Sequence, residues 1–176
     1  RNYVESELYF LEIKHKIKGR TNKHRIPTND FHNELSDEET LFIQKNCHKS
    51  YQLLPVLSNR FQRITLVNKT ENERLTFDFN LCFNNDTHKV ELSELVIAEL
   101  KQPRINRQSP FYRLMRDQKL RPYRLSKYCL GAIELIGNAS LKFNRFKKKL
   151  MYLEKIDRKS TCLNSSHTVI SYAVFC

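Results

Sequence analysis

Glycine is scarce in this chain, with only three glycines among 176 residues. A glycine-rich phosphate loop of the P-loop or dinucleotide-binding kind therefore cannot form. The five cysteines, at positions 47, 82, 129, 162 and 176, include no CxxC pair, which argues against a zinc site, and their odd number argues against a complete disulfide framework. The chain also has no secretory signal and no run of about 18 apolar residues that could span a bilayer. These absences favour free thiols in a reducing compartment, and we expect a cytoplasmic location.

Positive charge is what the composition has in excess. The 31 lysines and arginines against 19 acidic residues give a formal net charge of +12. Such an excess indicates a polyanionic partner, which could be nucleic acid, an anionic lipid or a phosphate chain. With 176 residues, of which 40% are hydrophobic, the chain can form one domain with a substantial core.

Both ends of the chain differ from the rest. Residue 1 is arginine rather than methionine and lies inside what reads as a strand. The last segment, DRKSTCLNSSHTVISYAVFC, continues no earlier pattern and resembles the translated read-through of a sequencing-library adaptor. We therefore expect an N-terminally truncated domain over residues 1–157 and a non-native tail over residues 158–176.

The segment YFLEIKHKIKGRTNKHR, residues 9–25, separates lysines from apolar residues by alternate positions. One set of positions holds Phe10, Glu12, Lys14, Lys16 and Lys18, and the other holds Leu11, Ile13, His15 and Ile17. Because alternate residues of a β-strand face opposite ways, the segment predicts a strand with one largely apolar face and one face that carries a ladder of ammonium groups. His15 falls on the apolar face, where a packed histidine is expected rather than a ligand.

Three later segments predict strands with the same division. ERLTFDFNLCF sets Arg74, Thr76, Asp78 and Asn80 opposite Leu75, Phe77, Phe79 and Leu81. FQRITLV sets Arg63 and Thr65 opposite Ile64 and Leu66, and the NKTENE that follows predicts a hairpin turn. ELVIAELKQ sets Glu99 and Lys101 opposite Val96, Ala98 and Leu100.

Helices separate the predicted strands. SDEETLFIQKN opens with Ser36 and Glu39 at the spacing of a capping box. SPFYRLMRDQKL places Ser109 as N-cap and Pro110 at the first helical position. SKYCLGAIEL predicts a helix that begins at Ser126, and SLKFNRFKKKLMYLEKI predicts a last helix with its cations mostly outward. A single α+β domain is the economical fold class.

The charged strand faces allow two arrangements. An ordinary two-layer sheet would turn them to water, and this alternative stays open for each strand. If the ionic faces instead converge and helices cover the apolar exterior, the result is a barrel with a cationic lumen. Buried cations without partners are costly, so such a lumen needs resident anions. A phosphate chain supplies about one negative charge per phosphate and several acceptor oxygens for lysine and arginine.

Two glutamates interrupt the cationic faces. Glu12 precedes Lys14 by two residues, as Glu99 precedes Lys101, so each pair lies on one strand face. A carboxylate among phosphates is repelled unless a divalent cation stands between them, and Mg²⁺ and Mn²⁺ are held by carboxylates together with phosphate oxygens. Glu99 and Glu12 are therefore candidate metal ligands.

The ordered motifs LEIK, GRTNKHR, PVLSNRFQR, ERLTFDFNL, AELK and RLSKYCLG resemble the catalytic domain of the vacuolar transporter chaperone (VTC) complex. The likeness spans about residues 1–156 and is to the bacterial polyphosphate polymerase domains among the CYTH-like triphosphate tunnel metalloenzymes. It implies an antiparallel β-barrel tunnel with flanking helices. It also implies Mn²⁺ or Mg²⁺ as cofactor and the transfer of the terminal phosphate of ATP onto a growing polyphosphate chain.

The resemblance implies site residues as well. The cations that would act in the transfer are Lys14, Arg63, Arg74, Lys101 and Lys127, and further phosphate-binding cations would be Arg1, Lys23, Arg25 and, from the ladder, Lys16. Glu99 resembles the metal-binding glutamate, with Glu12 and Asp78 as supporting carboxylates. On the residues alone, Lys127 could be an ordinary first-turn helix residue, and Arg63 and Arg74 could be cross-strand partners of exposed acids.

The resemblance also implies the partners. We expect ATP and polyphosphate and no nucleic acid, and the parent protein could have a membrane partner. Alternatives within the tunnel class are a triphosphatase that releases orthophosphate and a module that only binds polyphosphate or inositol phosphates. A nucleic-acid binder would need aromatics among the cations of its binding face, whereas in RLTFDFNLCF they lie opposite the cations. Because the family's domain begins before Arg1, we expect this chain to lack part of the phosphate cage, and we expect the polymerase activity of the full-length parent.

Overall fold

The computed structural model describes residues 1–17, 20–30, 34–47, 53–120, 122–123, 125–137, 141–144, 146–151, 153 and 169–172. The chain divides into two compact units, Arg1–Pro55 and Val56–Cys176. Both units combine antiparallel strands with helices, so the α+β fold class predicted from the sequence is confirmed.

The first unit is a three-stranded antiparallel sheet with one helix. Its strands lie in the order β1 (Asn2–Tyr3), β2 (Leu8–Ile17) and β3 (Arg20–Thr28), and a 3-10 turn over Val4–Ser6 separates the first two. The helix α1 (Asp37–Asn46) begins at the predicted capping box and packs against β2.

The contact between α1 and β2 brings a histidine and a cysteine together. The Nε2 atom of His15 lies 3.7 Å from the Sγ atom of Cys47, the residue that ends α1. Both residues are half-buried. His15 is therefore a packed residue on the apolar face of β2, as the alternation predicts.

The second unit is built on a five-stranded sheet. Its main path runs through β4 (Ser58–Val67), β5 (Arg74–Asn84), β7 (Leu95–Lys101) and β8 (Val169–Tyr172), and β6 (Lys89–Leu92) pairs with the end of β5. The pairs among β4, β5, β6 and β7 are antiparallel, whereas β8 runs parallel to β7. Two helices, α2 (Pro110–Asp117) and α3 (Lys127–Ile136), follow β7 in the chain.

Local side-chain chemistry sets the ends of these elements. In the predicted turn between β4 and β5, the side chain of Asn68 accepts hydrogen bonds from the backbone N–H groups that follow it. The hydroxyl of Ser126 caps α3 as predicted. Pro110 opens α2, although the side chain of Ser109 forms no capping hydrogen bond. Residues 146–151 of the last predicted helix are helical, and no helix in the described part of the chain is long and apolar enough to cross a membrane.

A β-bulge in β5 interrupts the predicted alternation. Arg60 pairs with Cys82, but Gln62 pairs with Phe79, so β5 contains one residue more than β4 at this point. Asn80 lies in the bulge with a φ of 51°, a left-handed conformation that asparagine adopts more readily than most residues.

Beyond the bulge, the residues of β5 lie on the face opposite to the one that the alternation predicts. Leu81 and Phe83 continue the face that carries Thr76 and Asp78, and all four residues are buried. The prediction that polar residues follow this face as far as Asn80 is therefore wrong, because the extra residue reverses the direction of every side chain after it.

Helix α3 covers the apolar end of this face. One cluster of buried side chains in the described residues contains Leu81, Phe83, Ile97, Leu130 and Leu135. Gly131 permits the close packing of α3, because a Cβ atom there would lie 2.3 Å from the Phe83 ring. On the other face of the sheet, Phe77 packs edge-to-face against Phe111 of α2, with 6.1 Å between the ring centroids.

The predicted tunnel is not seen as a closed barrel in the described part of the chain, where the strands form two open sheets. In the second unit, α3 occupies the half of the strand face around Leu81 and Phe83. The α+β class is thus confirmed, while the barrel stays a prediction. Residues 169–172, in the segment expected to be a non-native tail, form a strand beside β7, and the origin of that tail also stays a prediction.

We expect the substitution Gly131→Ala to lower the free energy of unfolding by about 1–3 kcal/mol, the usual cost of overpacking a core. The new methyl group would meet the ring of Phe83, which is fully buried. Urea unfolding followed by circular dichroism measures the change. The double variant with Phe83→Leu is the internal control, because the smaller side chain makes room for the methyl group. Strict additivity of the two substitutions would contradict the steric explanation.

Candidate functional site

On the first unit, one carboxylate gathers three cations. The Glu12 carboxylate lies 2.6 Å from Lys23 Nζ, 3.4 Å from Lys14 Nζ and 3.8 Å from the Arg1 guanidinium. We call these four residues the Glu12 cluster. The Glu12 side chain is 6% exposed and that of Lys14 is 59% exposed. Because the cations outnumber the carboxylate and lie outside it, the cluster can attract an anion.

Burial and the neighbouring cations shift the pKa of Glu12 in opposite directions. Burial acts to raise this pKa, but the hydrogen bond from Lys23 and the charges of Lys14, Lys23 and Arg1 outweigh it and hold the pKa below its ordinary value. Glu12 is therefore an ionised carboxylate that the chain's own cations surround. This arrangement favours a role in orienting the cations, and the metal-binding role of Glu12 stays a prediction.

The remaining predicted cations of the first unit lie in the same pair of strands. Arg25 is the cross-strand neighbour of Glu12, and its guanidinium carbon lies 4.8 Å from the centroid of the Phe10 ring. Lys16 lies opposite Thr21, two residues beyond Lys14 in β2. Because directly opposed residues project from the same face, the register of Glu12 with Arg25 and of Lys14 with Lys23 gives β2 and β3 the predicted cationic face.

In the second unit, the predicted site residues share one face of three neighbouring strands. Across β4, β5 and β7, the register gives the rows Arg63–Asp78–Ile97, Thr65–Thr76–Glu99 and Val67–Arg74–Lys101. We call these nine residues, together with Lys127 at the start of α3, the ionic patch. The structure thus brings together five of the predicted site residues, which are Arg63, Arg74, Glu99, Lys101 and Lys127.

Asp78 joins three elements of the ionic patch. Its fully buried carboxylate accepts hydrogen bonds from Arg63 Nε at 2.5 Å and Arg63 Nη2 at 2.7 Å, and Lys127 Nζ lies 2.5 Å from it. Such bidentate, charge-assisted contacts fix direction as well as distance. Both cations also lie over the ring of Phe61, at 5.3 Å for Arg63 and 5.1 Å for Lys127. One carboxylate therefore connects β4, β5 and α3.

Asp78 is ionised despite its burial. Burial acts to raise the pKa of Asp78, but the hydrogen bonds and charges of Arg63 and Lys127 outweigh it and hold the pKa below its ordinary value. Two cations and one carboxylate leave one positive charge in excess. The side chains of Arg63 and Lys127 are 27% and 20% exposed, so both keep part of their surface for an anion. The acid opposite Arg63 is thus buried, not exposed as the alternative interpretation required.

The other end of the ionic patch has cations that face each other. Arg74 and Lys101 are directly opposed on β5 and β7, and like charges in this position destabilise a sheet. Lys101 Nζ lies 3.4 Å from a carboxylate oxygen of Glu99. In the residues that the structure describes, Arg74 has no ion-pair partner. An anion bound between Arg74 and Lys101 would remove the repulsion.

Glu99 is the carboxylate of the ionic patch that a divalent cation could reach. Its side chain is 20% exposed, and its cross-strand neighbour Thr76 has a buried hydroxyl without a hydrogen-bond partner. The described residues contain no cluster of three or more His, Cys, Asp or Glu side chains suited to a metal. The donors fit Mg²⁺ or Mn²⁺ if phosphate oxygens and water complete the coordination, which is the usual mode for Mg²⁺.

Sequence patterns do not single out Thr76. The alternation places it on the face of Arg74, but threonine is common in strands for packing reasons alone. Its importance becomes visible only when the register puts it between Thr65 and Glu99 and the structure leaves its hydroxyl unpaired.

The fold, the Glu12 cluster and the ionic patch define a class of protein, an α+β protein whose antiparallel sheets carry cations paired with buried carboxylates. A comparison with protein-family models matches the VTC domain over residues 1–136, which include β1 to β7 and α1 to α3. The chain belongs to the VTC domain family, and the resemblance found in the sequence is confirmed. Membership indicates a function related to polyphosphate. No curated protein and no solved structure gives a significant match.

We expect Asp78→Asn to lower the free energy of unfolding at neutral pH by about 3 kcal/mol, because removing one partner of a buried ion pair leaves the other charges uncompensated. The folded-state pKa of Asp78 is depressed. The wild type therefore keeps this stability above the ordinary carboxyl pKa of about 3.9 and loses it as the pH falls through the folded-state pKa. The variant should lack this part of the acid dependence. Urea unfolding at a series of pH values measures both effects.

The matched control for this prediction is Glu91→Gln. Glu91 also pairs with a lysine, Lys89, at 2.6 Å, but its side chain is 62% exposed, and exposed pairs contribute little to stability. Equal losses of stability in the two variants would contradict the structural role of Asp78.

Proposed function

We propose that this protein is a metal-dependent polyphosphate polymerase, which transfers the terminal phosphate of ATP onto a growing polyphosphate chain. Membership in the VTC domain family supports a polyphosphate-related reaction. The observation that carries the proposal is the opposed pair Arg74 and Lys101 with Glu99 beside it. The two opposed cations repel each other, and Glu99 lies in the neighbouring cross-strand row. The arrangement therefore offers a site for an anion and, beside it, a site for a divalent cation.

The cations of the ionic patch have two kinds of task in this proposal. Arg63 and Lys127 are held by Asp78, so they would receive phosphates in a fixed geometry. Arg74 and Lys101 would bind phosphates by direct charge attraction. In-line phosphoryl transfer requires positioning and charge stabilisation rather than a nucleophilic side chain, and these four cations supply both. On the first unit, the Glu12 cluster offers further cations for phosphates.

Glu99 would hold the Mn²⁺ or Mg²⁺ ion, which supplies neutralisation of the charge on the phosphates. In the structure, the carboxylate of Glu99 is neutralised by Lys101 instead. A Glu99 carboxylate that held the metal would no longer neutralise Lys101, and the ammonium group of Lys101 would be available for a phosphate oxygen.

Polyphosphate and ATP suit the ionic patch better than single-stranded nucleic acid does. Base stacking needs aromatic rings that are open on the cationic face. Phe61 lies on that face, but Arg63 and Lys127 lie over its ring. Phosphate oxygens, in contrast, need only the cations and hydrogen-bond donors that the patch contains.

We expect Lys101→Ala to lower polyphosphate synthesis by about 10²–10³-fold, the usual effect of removing one group that stabilises transferred charge. The assay incubates the full-length gene product with ATP and Mn²⁺ and resolves polyphosphate on a stained gel. Lys89→Ala is the matched control, because Lys89 is an exposed lysine of the same unit that pairs with Glu91 outside the ionic patch.

Three results would contradict the proposal in different ways. A ladder of long chains that persists in Lys101→Ala would remove Lys101 from the site. Orthophosphate without a ladder would change the assignment to a triphosphatase. Tight binding of tripolyphosphate without turnover of ATP would leave a module that only binds phosphate chains.

We expect Glu99→Gln to abolish Mn²⁺-dependent turnover and to leave tripolyphosphate binding in EDTA largely intact, because the substitution removes a metal ligand and no cation. Calorimetric titration and the gel assay measure the two properties separately. Glu94→Gln is the control, since Glu94 is an exposed residue just before β7. Retained Mn²⁺-dependent turnover in Glu99→Gln would count against the metal role of Glu99.

A further inference from the structure

We propose that the Thr76 hydroxyl is a ligand of the bound phosphate chain and donates a hydrogen bond to a non-bridging phosphate oxygen. The inference rests on the proposed function, because it assigns a further residue to the same ionic patch. It adds a neutral, short donor to a set that otherwise consists of long cationic side chains.

The first observation is an unpaired polar atom. Thr76 is 3% exposed, and among the residues that the structure describes its buried Oγ1 atom has no hydrogen-bond partner. Buried hydroxyl groups are nearly always hydrogen-bonded, because a hydroxyl withdrawn from water loses its bonds to the solvent. An unpaired buried hydroxyl in a native protein therefore calls for a specific explanation, and a ligand that binds to it is one.

The second observation is the position of Thr76 at the centre of the ionic patch. Thr65 and Glu99 are its direct cross-strand neighbours, and Arg74 and Asp78 lie two residues away on the same strand. Lys101 is its diagonal neighbour across β7. Directly opposed side chains in a sheet have Cβ atoms about 4.5–5.5 Å apart, and diagonal neighbours are about 7–8 Å apart. A phosphate group between Arg74 and Lys101 is therefore within reach of the hydroxyl.

The acceptors nearest to Thr76 already have partners. The Asp78 carboxylate receives Arg63 on both oxygens and Lys127 on one. The Glu99 carboxylate is paired with Lys101. Neither carboxylate is bonded to the Thr76 hydroxyl in the described residues, and the surrounding cations attract an acceptor-rich anion. A phosphate has acceptor oxygens for two cations and a hydroxyl at the same time.

Access to the hydroxyl depends on the side chains of the neighbouring row. Lys101 has a side chain that is 39% exposed, and Arg74 is exposed as well. Both side chains are long and can turn towards a phosphate that lies beside Thr76. The hydroxyl would then contact the ligand only after the cations have bound it.

The test compares Thr76→Val with the wild type. Valine keeps the branched shape and removes only the hydroxyl. Titration calorimetry of the full-length gene product with tripolyphosphate in EDTA should show binding about 10–100-fold weaker, the effect of losing one hydrogen bond to a charged group. The thermal midpoint should rise by about 2–4 °C, because an unpaired buried polar group is removed. Thr76→Ser, which keeps the hydroxyl, should restore the affinity.

Thr87→Val is the control for the affinity, since Thr87 is an exposed threonine of the same unit that lies between β5 and β6, outside the ionic patch. It should not change the affinity for tripolyphosphate. Equal affinity of Thr76→Val and the wild type would overturn the inference alone. A loss seen only with Mn²⁺ would make the hydroxyl a metal ligand and would also overturn it. A wild type that does not bind tripolyphosphate would overturn the proposed function itself, together with this inference.

Discussion

The second unit depends on one buried carboxylate, that of Asp78. A fully buried aspartate is stable only when it is paired, and here the partners come from β4 and from the start of α3. Because Arg63 and Lys127 both pair with the same carboxylate, neither can move far from its position without breaking an ion pair. The pair is therefore preorganised, and an anion that binds to it does not have to order two flexible side chains. The same ion pairs that stabilise the fold determine the geometry of the site.

The bulge at Asn80 determines how far the charged part of this sheet face extends. Without the extra residue, the face that carries Asp78 would continue through Asn80 and stay polar. With it, Leu81 and Phe83 turn to the same face and form a core with α3. One face of the sheet thus supports a helix at one end and an ionic patch at the other. The helix that closes the core also brings Lys127 to Asp78, so the bulge and the site are linked.

Much of this could be predicted from the sequence, and the failures have physical causes. Period-two alternation placed Glu12 and Lys14 on one face of their strand. It likewise placed Arg74, Thr76 and Asp78 on one face of β5, because successive side chains of a regular strand point to opposite faces. The bulge could not be predicted, since it depends on pairing with β4. Nor could the pairing of Arg63 with Asp78 be read from the chain, because register is a property of two strands. The resemblance to the VTC family named site residues, but only the register showed which of them are neighbours.

The cations of this protein differ in how closely a carboxylate neutralises them. This difference bears on why like charges lie side by side on the strands. Those beside Glu12 and Asp78 are held by a carboxylate, which orients them and reduces their repulsion. Arg74 and Lys101 face each other across two strands with only Glu99 beside them, so their repulsion persists in the free protein. Under the proposed function, stability lost in this way would return as binding energy when a phosphate chain enters, because the ligand would remove a repulsion as well as form contacts. Such a site would favour strongly charged chains, since a neutral or singly charged ligand would leave most of the repulsion in place.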